Sequence, residues 1–532
     1  MSILSPLSRG MLRAVGFSAL AIAAVQAAPA WAQSGDLVVN SATAPSSLDP
    51  AWACGLPEIS FLQNFYVRLV QYGVKDGPEG TKVVDYGTIE PYLADSWTVS
   101  EDGKVYTFKL KDGFKFQSGA PIDAAAVKYS FDRVLKMAGC GRFFLTDGFI
   151  DPVIIDSVEA PDASTVVITL NRPNANMLVD WATHAGSIVD PAVVEANGGV
   201  VEGQPNQFMS SNVTASGPFL LEAYTPNQSA RMVANPAFAG EAPASSAIQV
   251  NWIAAAPTLL LQARTGQADI TFGISKQAAT TLKDSQDARV LAYTNPFVQQ
   301  MMLPNSKAPW DNPKVREAVA HAVPYQQIVD RIAYGYGTLY YGPIPPSLPG
   351  FNADLSKPVE FDLDKAKALL AESGVTLPIE VEVLVQEGDA TQQQIATVLQ
   401  STWADLGINL KIRVAPGAEY QDLTQGHKVQ SLMRLDGPGV FEAGYYFGYD
   451  VMCNNPNNLT EYCDPAVDEL VNKLRATADA TERQAILDEI TTKWRAAYPK
   501  LQFFEDQPVV VLSKAVTDFT FAPLPDYRTW RK

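Results

Sequence analysis

Residues 93–135 read LADSWTVSEDGKVYTFKLKDGFKFQSGAPIDAAAVKYSFDRVL, and their pattern is a strand, a turn, a second strand, a loop and a helix. Asp102-Gly103 is a hairpin signal, because both residue types tolerate the positive φ of a tight turn. Tyr106, Phe108 and Leu110 then alternate with Val105, Thr107 and Lys109, which predicts a strand with one buried face. Asp112-Gly113 closes that strand. Asp123 is placed to cap a helix whose inner stripe is Val127, Phe131 and Val134.

The same stretch resembles the signature of the peptide-binding class of periplasmic solute-binding proteins, extracellular solute-binding family 5, which serve ATP-driven importers. The family's wording runs close to "ADSW…S-DG--YTFKLR-GVKF-DG-P--A-DV-YS". One position departs: the acidic residue before Val127 is Ala126 here. The resemblance implies an α/β protein, a two-lobed clamshell with an extra N-terminal subdomain and two hinge crossings. Its task would be capture, not catalysis.

Residues 1–32 read as a secretory signal. Arg9 and Arg13 supply the positive region, Ala14–Ala27 the short apolar run, and Ala30-Trp31-Ala32 a small-x-small cleavage site. The run is too short to span a bilayer, so a periplasmic protein starting at Gln33 is expected. Loss of the signal takes the formal charge from −17 to −19. So acidic a chain repels nucleic acid and anionic membranes. About 500 mature residues exceed one core, so at least two lobes are expected. Cys54, Cys140, Cys453 and Cys463 form an even set, which an oxidising compartment turns into two disulfides. Closeness in sequence suggests Cys453–Cys463 and leaves Cys54–Cys140, although three pairings are formally open.

Similar blocks recur in order. Leu48-Asp49-Pro50 matches the family's "LDP", and Asn64–Val70 resembles its "N-YE-LV" helix, with Val67 in place of the glutamate. Trp52 lies between them, in a segment that borders the ligand cleft in this family. Met137–Phe144, rich in glycine and aromatics, reads as a loop able to close over a ligand, and Arg142 within it is a candidate contact. Thr165–Leu170 alternates as a strand. Ser216-Gly217-Pro218-Phe219 and Gly266–Ile270 match further family blocks. The chain should cross to a second lobe near Tyr293–Gln300.

There, Asn312-Pro313 opens a helix and Gly342–Pro346 matches "GPIPP". The alternation Ile379, Val381, Val383, Val385, then the helical stripe Ile395, Leu399, Trp403, then Ile408–Val414 predicts a right-handed parallel βαβ unit. Thr481 with Gln484 reads as a capping box. Val509–Leu512 is a buried strand that returns the chain to the first lobe. The expected layout is lobe I over 33–294 with a subdomain inserted at about 85–200, lobe II over 295–506, and a return over 507–532.

The stretch 433–450, MRLDGPGVFEAGYYFGYD, replaces the family's "W-AD--DP" and should choose the ligand. Asp436 or Asp450 would hold an ammonium, and Arg434 a carboxylate through paired hydrogen bonds. Tyr445, Tyr446, Phe447 and Tyr449 make an aromatic, glycine-interrupted loop whose rings suit sugars, cations and apolar side chains alike. Trp52, Arg142, Arg434, Asp436, Tyr445, Tyr446 and Phe447 are therefore the candidate ligand-binding residues.

The rival is a secreted hydrolase. His184, His321 and His427 have no metal-ligand spacing, and the mature chain holds no G-x-S-x-G elbow. No carboxylate pair is singled out for acid–base work. We expect a monomeric binder without metal or cofactor, partnered by an inner-membrane ABC permease and ATPase. Its solute is a peptide or similar small polar molecule, the alternatives being an opine, an oligosaccharide or a metal chelate.

Overall fold

The computed structural model describes residues 36–148, 152–521 and 526–532, so the signal and its cleavage site lie outside the described residues. Two mixed sheets carry the molecule. A seven-stranded sheet is ordered Ala288–Ala292, Val509–Ser513, Ile270–Phe272, Leu37–Ser41, Ala247–Trp252, Ser229–Ala234 and Phe219–Thr225. A six-stranded sheet is ordered Gly337–Thr338, Lys500–Asp506, Val298–Met302, Leu432–Asp436, Ile379–Gln386 and Ile408–Ala415. The chain passes between them after Ala292 and again between Asp506 and Val509. Two short crossings side by side make a hinge about which rigid lobes move. At the hinge Lys276 Nζ meets Asp506 Oδ1 at 2.5 Å and donates to the Tyr336 carbonyl at 2.7 Å.

The stretch 93–135 folds as its pattern predicts. Ala94–Val99 pairs antiparallel with Val105–Leu110, Gly103 takes φ 68°, and Tyr106, Phe108 and Leu110 are buried. Thr165–Leu170 and Ile155–Asp162 complete a four-stranded layer. The helix Ala124–Met137 covers it, with the Asp123 carboxylate accepting from the Ala126 N–H at 3.0 Å. On this helix Arg133 is buried and holds both oxygens of Asp49, at 2.8 and 2.6 Å. The aspartate of the "LDP" block thus anchors the entry segment to the layer. In the second lobe Ile379–Gln386 and Ile408–Ala415 pair in parallel around the helix Ala390–Ala404, which buries Ile395, Leu399 and Trp403.

Four local expectations change. The helix expected over Asn64–Val70 lies earlier, at Leu56–Leu62, because Asn64 Nδ2 donates back to the Ser60 carbonyl at 2.9 Å and ends it. The 137–144 loop contains the helix Cys140–Leu145. The aromatic loop after 442 is the helix Ala443–Asp450. The last long helix, Ala480–Ala497, is capped not by Thr481 but by Asp479, which accepts from the Glu482 N–H at 2.9 Å. An aspartate two residues earlier already satisfies the first turn, and Gln484 reaches the Gly350 carbonyl instead.

Candidate functional site between the lobes

Both disulfides form, Cys54–Cys140 and Cys453–Cys463. The first ties the segment before Leu56–Leu62 to the helix Cys140–Leu145, and these two segments become one wall of a cavity of about 190 Å³. Leu56, Ile59, Phe143 and Phe144 face it from the first lobe. Phe297, Gly437, Gly439, Phe441, Tyr445 and Tyr449 face it from the second.

The second wall follows from local chemistry. Arg434 and Asp436 are two apart on the strand Leu432–Asp436, so their side chains share a face. Arg434 Nε lies 3.0 Å from Asp436 Oδ2, and Arg434 Nη2 donates to the Tyr449 hydroxyl at 3.2 Å. The neighbouring Asp436 charge holds the Arg434 guanidinium well above its usual range. The chain then turns at Gly437, where a Cβ would stand 2.5 Å from the Pro296 carbonyl oxygen. Glu442 caps the helix Ala443–Asp450 by accepting from the Tyr445 N–H at 2.9 Å.

Helical spacing sorts the aromatics. Tyr445 and Tyr449 are four apart and share the flank that lines the cavity, with Phe143 5.5 and 6.0 Å from their ring centres. Tyr446 and Asp450 share another flank and meet Lys500: its Nζ donates to Asp450 at 2.5 Å and to the Tyr446 hydroxyl at 3.4 Å. Phe447 is fully buried in the core. Of the seven candidates, Tyr445 lines the cavity; Arg434 and Asp436 do not, but Arg434 bonds the lining Tyr449 and Asp436 precedes the lining Gly437. Trp52 lies over Gly139, where a Cβ would be 2.6 Å from its ring, and Arg142 is half-buried in the last turn of its helix; neither is on the lining. Sequence reasoning missed Leu56, Ile59, Phe297 and Phe441. Isolated apolar residues carry no signal that separates a cleft wall from a core.

The lobes also touch beyond the cavity. Phe441 lies 4.5 Å from Tyr86, and the Ala175 N–H donates to the Arg475 carbonyl at 2.8 Å. Arg483 Nη2 donates to Asn176 at 3.0 Å and to Glu442 at 2.6 Å. Arg475 Nε lies 3.0 Å from Asp147 Oδ2. Asp180 is buried beside this group. Burial, reinforced by their neighbouring carboxylates, pushes both Asp147 and Asp180 above the ordinary carboxylate range.

Two α/β lobes, two adjacent crossings and an interlobe cavity define a solute-binding protein of the clamshell class, here with its lobes together. The chain belongs to the bacterial extracellular solute-binding proteins, family 5, whose middle-region model matches residues 88–458. It is 30% identical to the probable D,D-dipeptide-binding periplasmic protein of Escherichia coli over 92% of each chain. It is 26% identical to a glutathione-binding protein of Escherichia coli, over 96% of this chain and 98% of that one. Among solved structures, a periplasmic binding protein from Helicobacter pylori in complex with the peptide STSA superposes with a TM-score of 0.78 at 24% identity, covering 93% of this chain and 98% of that one.

Proposed function

We propose that this protein captures a peptide or similar small polar solute in the periplasm and delivers it to an inner-membrane ABC permease and ATPase. The observation that carries the reading is the cavity whose walls come from both lobes, with Arg434 bonded to the lining Tyr449 and Asp436 next in chain to the lining Gly437. Its rings suit the apolar side chain of such a solute, and Asp436 suits its ammonium. The peptide- and glutathione-binding relatives support the solute class. The solute touches both walls only when they meet, so binding shifts the population toward the closed form. In this reading residues 1–32 are removed on export, 33–294 and 507–532 form lobe I with the inserted subdomain at about 85–200, and 295–506 form lobe II. The protein turns nothing over.

The test is mass spectrometry of solute retained on purification, followed by melting scans with a set of di- and tripeptides. A true solute at a hundred times its Kd stabilises the protein by about 2.7 kcal/mol and is recovered unchanged. A set in which no peptide shifts the melting point, or in which the solute is cleaved, overturns the reading.

A further inference from the structure

A second cavity, of about 460 Å³, lies along the next flank of the helix Ala443–Asp450. Arg172 and Asn174 line it from the first lobe, and Gly448, Asn454, Asn472 and Arg475 from the second. Its two guanidiniums are fixed but not used up. Arg172 Nη1 donates to the Pro152 carbonyl at 3.1 Å and to Asn171 Oδ1 at 3.0 Å. Arg475 is fixed through Asp147 at 3.0 Å and through Met452 Sδ at 3.5 Å. Arg172 Nη2 and Arg475 Nη2 remain buried without a hydrogen-bond partner among the described residues. Leaving such a donor unpaired is unfavourable, the more so when it is charged.

The backbone makes room for this arrangement. A Cβ on Gly448 would stand 1.9 Å from Arg475 Nη2, so a glycine is needed for the guanidinium to lie there. Asp147 is the carboxylate beside both arginines, and Glu442 is engaged by Arg483. Burial is what chiefly lowers Arg172 from its usual range; the Asp147 charge opposes that shift and the Arg475 charge adds to it. A group that brings two acceptor oxygens fills the open guanidinium donors from both lobes together.

We propose that this cavity is an anion subsite that binds a carboxylate between Arg172 and Arg475 and is complete only when the lobes are closed. The proposal rests on the lobe-closure reading above. The carboxylate is either carried by the transported solute, as an acidic side chain or chain terminus, or is a separate small carboxylate that locks the closed form.

The test uses the full mature protein at constant ionic strength, with succinate as the free-anion probe and an acidic dipeptide beside its amide as the solute probes. Titration is followed by calorimetry and melting scans on wild type, Arg172→Gln and Arg475→Lys, with circular dichroism to establish that each variant is folded. Saturable succinate binding that weakens roughly tenfold or more in Arg172→Gln supports a free-anion site. An acidic dipeptide that outbinds its amide in wild type but not in Arg172→Gln, with succinate silent, assigns the carboxylate to the solute. Anion and acid preferences that are absent in wild type, or unchanged in both variants, overturn the proposal. Succinate binding without any peptide binding would sustain the subsite and sink the peptide reading instead.

Discussion

Gly439 of the second lobe lies directly against Phe144 of the first: a Cβ at 439 would stand 2.4 Å from Phe144 Cε1. Phe144 has little room to yield, being buried and packed between Phe143, 5.3 Å away, and His184, 4.9 Å away. The clash exists only with the lobes together. Gly439→Ala should therefore weaken solute binding by roughly tenfold or more, the effect of losing about 1.4 kcal/mol, and leave the melting point of the empty protein unchanged. Calorimetry with small-angle scattering checks this, and adding Phe144→Ala should recover part of the affinity. Full affinity in Gly439→Ala would mean that closure does not bring these residues together.

Asp436→Asn removes the charge proposed to meet an ammonium and leaves Arg434 without its 3.0 Å partner. Affinity for peptides with a free amino terminus should fall by about 2–5 kcal/mol, while N-acetylated peptides bind the variant and wild type alike. Equal losses for both peptide forms would remove Asp436 from ammonium recognition.

Closure should take up protons. Asp147 is pushed up to about 6 and Asp180 well above the ordinary carboxylate range, burial being the main cause for each. Around them stand Glu442 and Arg475 from the second lobe and the Tyr72, Tyr106 and Tyr445 hydroxyls, which stay protonated. In the open form these carboxyls titrate near about 3.9. The closed form then binds more protons than the open one between that value and the raised one, so closure is most favoured below both and the advantage is lost as pH rises through the raised value. Affinity should decline as pH rises through 4 to 6 on account of Asp147, with Asp180 acting in the same direction. Calorimetry in buffers of different ionisation heat should show proton uptake on binding, reduced in Asp180→Asn. A pH-independent affinity would count against this linkage.

Lys500 and Asp450 form a fully buried pair in the second lobe, 2.5 Å apart, with the Lys500 ammonium 5.7 Å from the Trp494 ring centre. Lys500→Met should cost about 3–5 kcal/mol because it strands a buried carboxylate, whereas Lys500→Met with Asp450→Leu should recover most of that loss. Denaturant melts of the two variants decide it: equal stability would show that the pair is not what the site needs.

The disulfides differ in span. Cys54–Cys140 closes 86 residues and Cys453–Cys463 closes 10. Chain entropy alone assigns them about 4.6 and about 2.7 kcal/mol. Replacing the first pair by serines should also loosen the Leu56–Ile59 wall and weaken solute binding, an effect that the second pair should not reproduce.

The sequence by itself determined the scaffold. The alternation at Tyr106, Phe108 and Leu110, the Asp123 cap and the parallel unit around Ala390–Ala404 are local or near-local patterns, and each buried stripe has one face available to it. It suggested the disulfide partners through proximity and remainder but left three pairings open, and the tertiary structure chose among them. It misjudged 443–450, because two glycines argue against a helix at roughly 1 kcal/mol each. The helix forms all the same, since Glu442 caps it, and Gly444 and Gly448 are where Asn176 and Arg475 come too close for any side chain.

Only the tertiary structure decided which residues form the site. Once 443–450 is helical, its rotation sends Tyr445 and Tyr449 to the cavity and Tyr446 and Phe447 into the interior, a division that no composition records. The cavity itself joins Ile59, Phe144, Phe297 and Phe441, residues far apart in the chain and chemically ordinary. A fold is written in periodicities that each segment carries alone. A cleft between lobes is written in distances between segments, and these exist only after both sheets have formed and the hinge has brought them together.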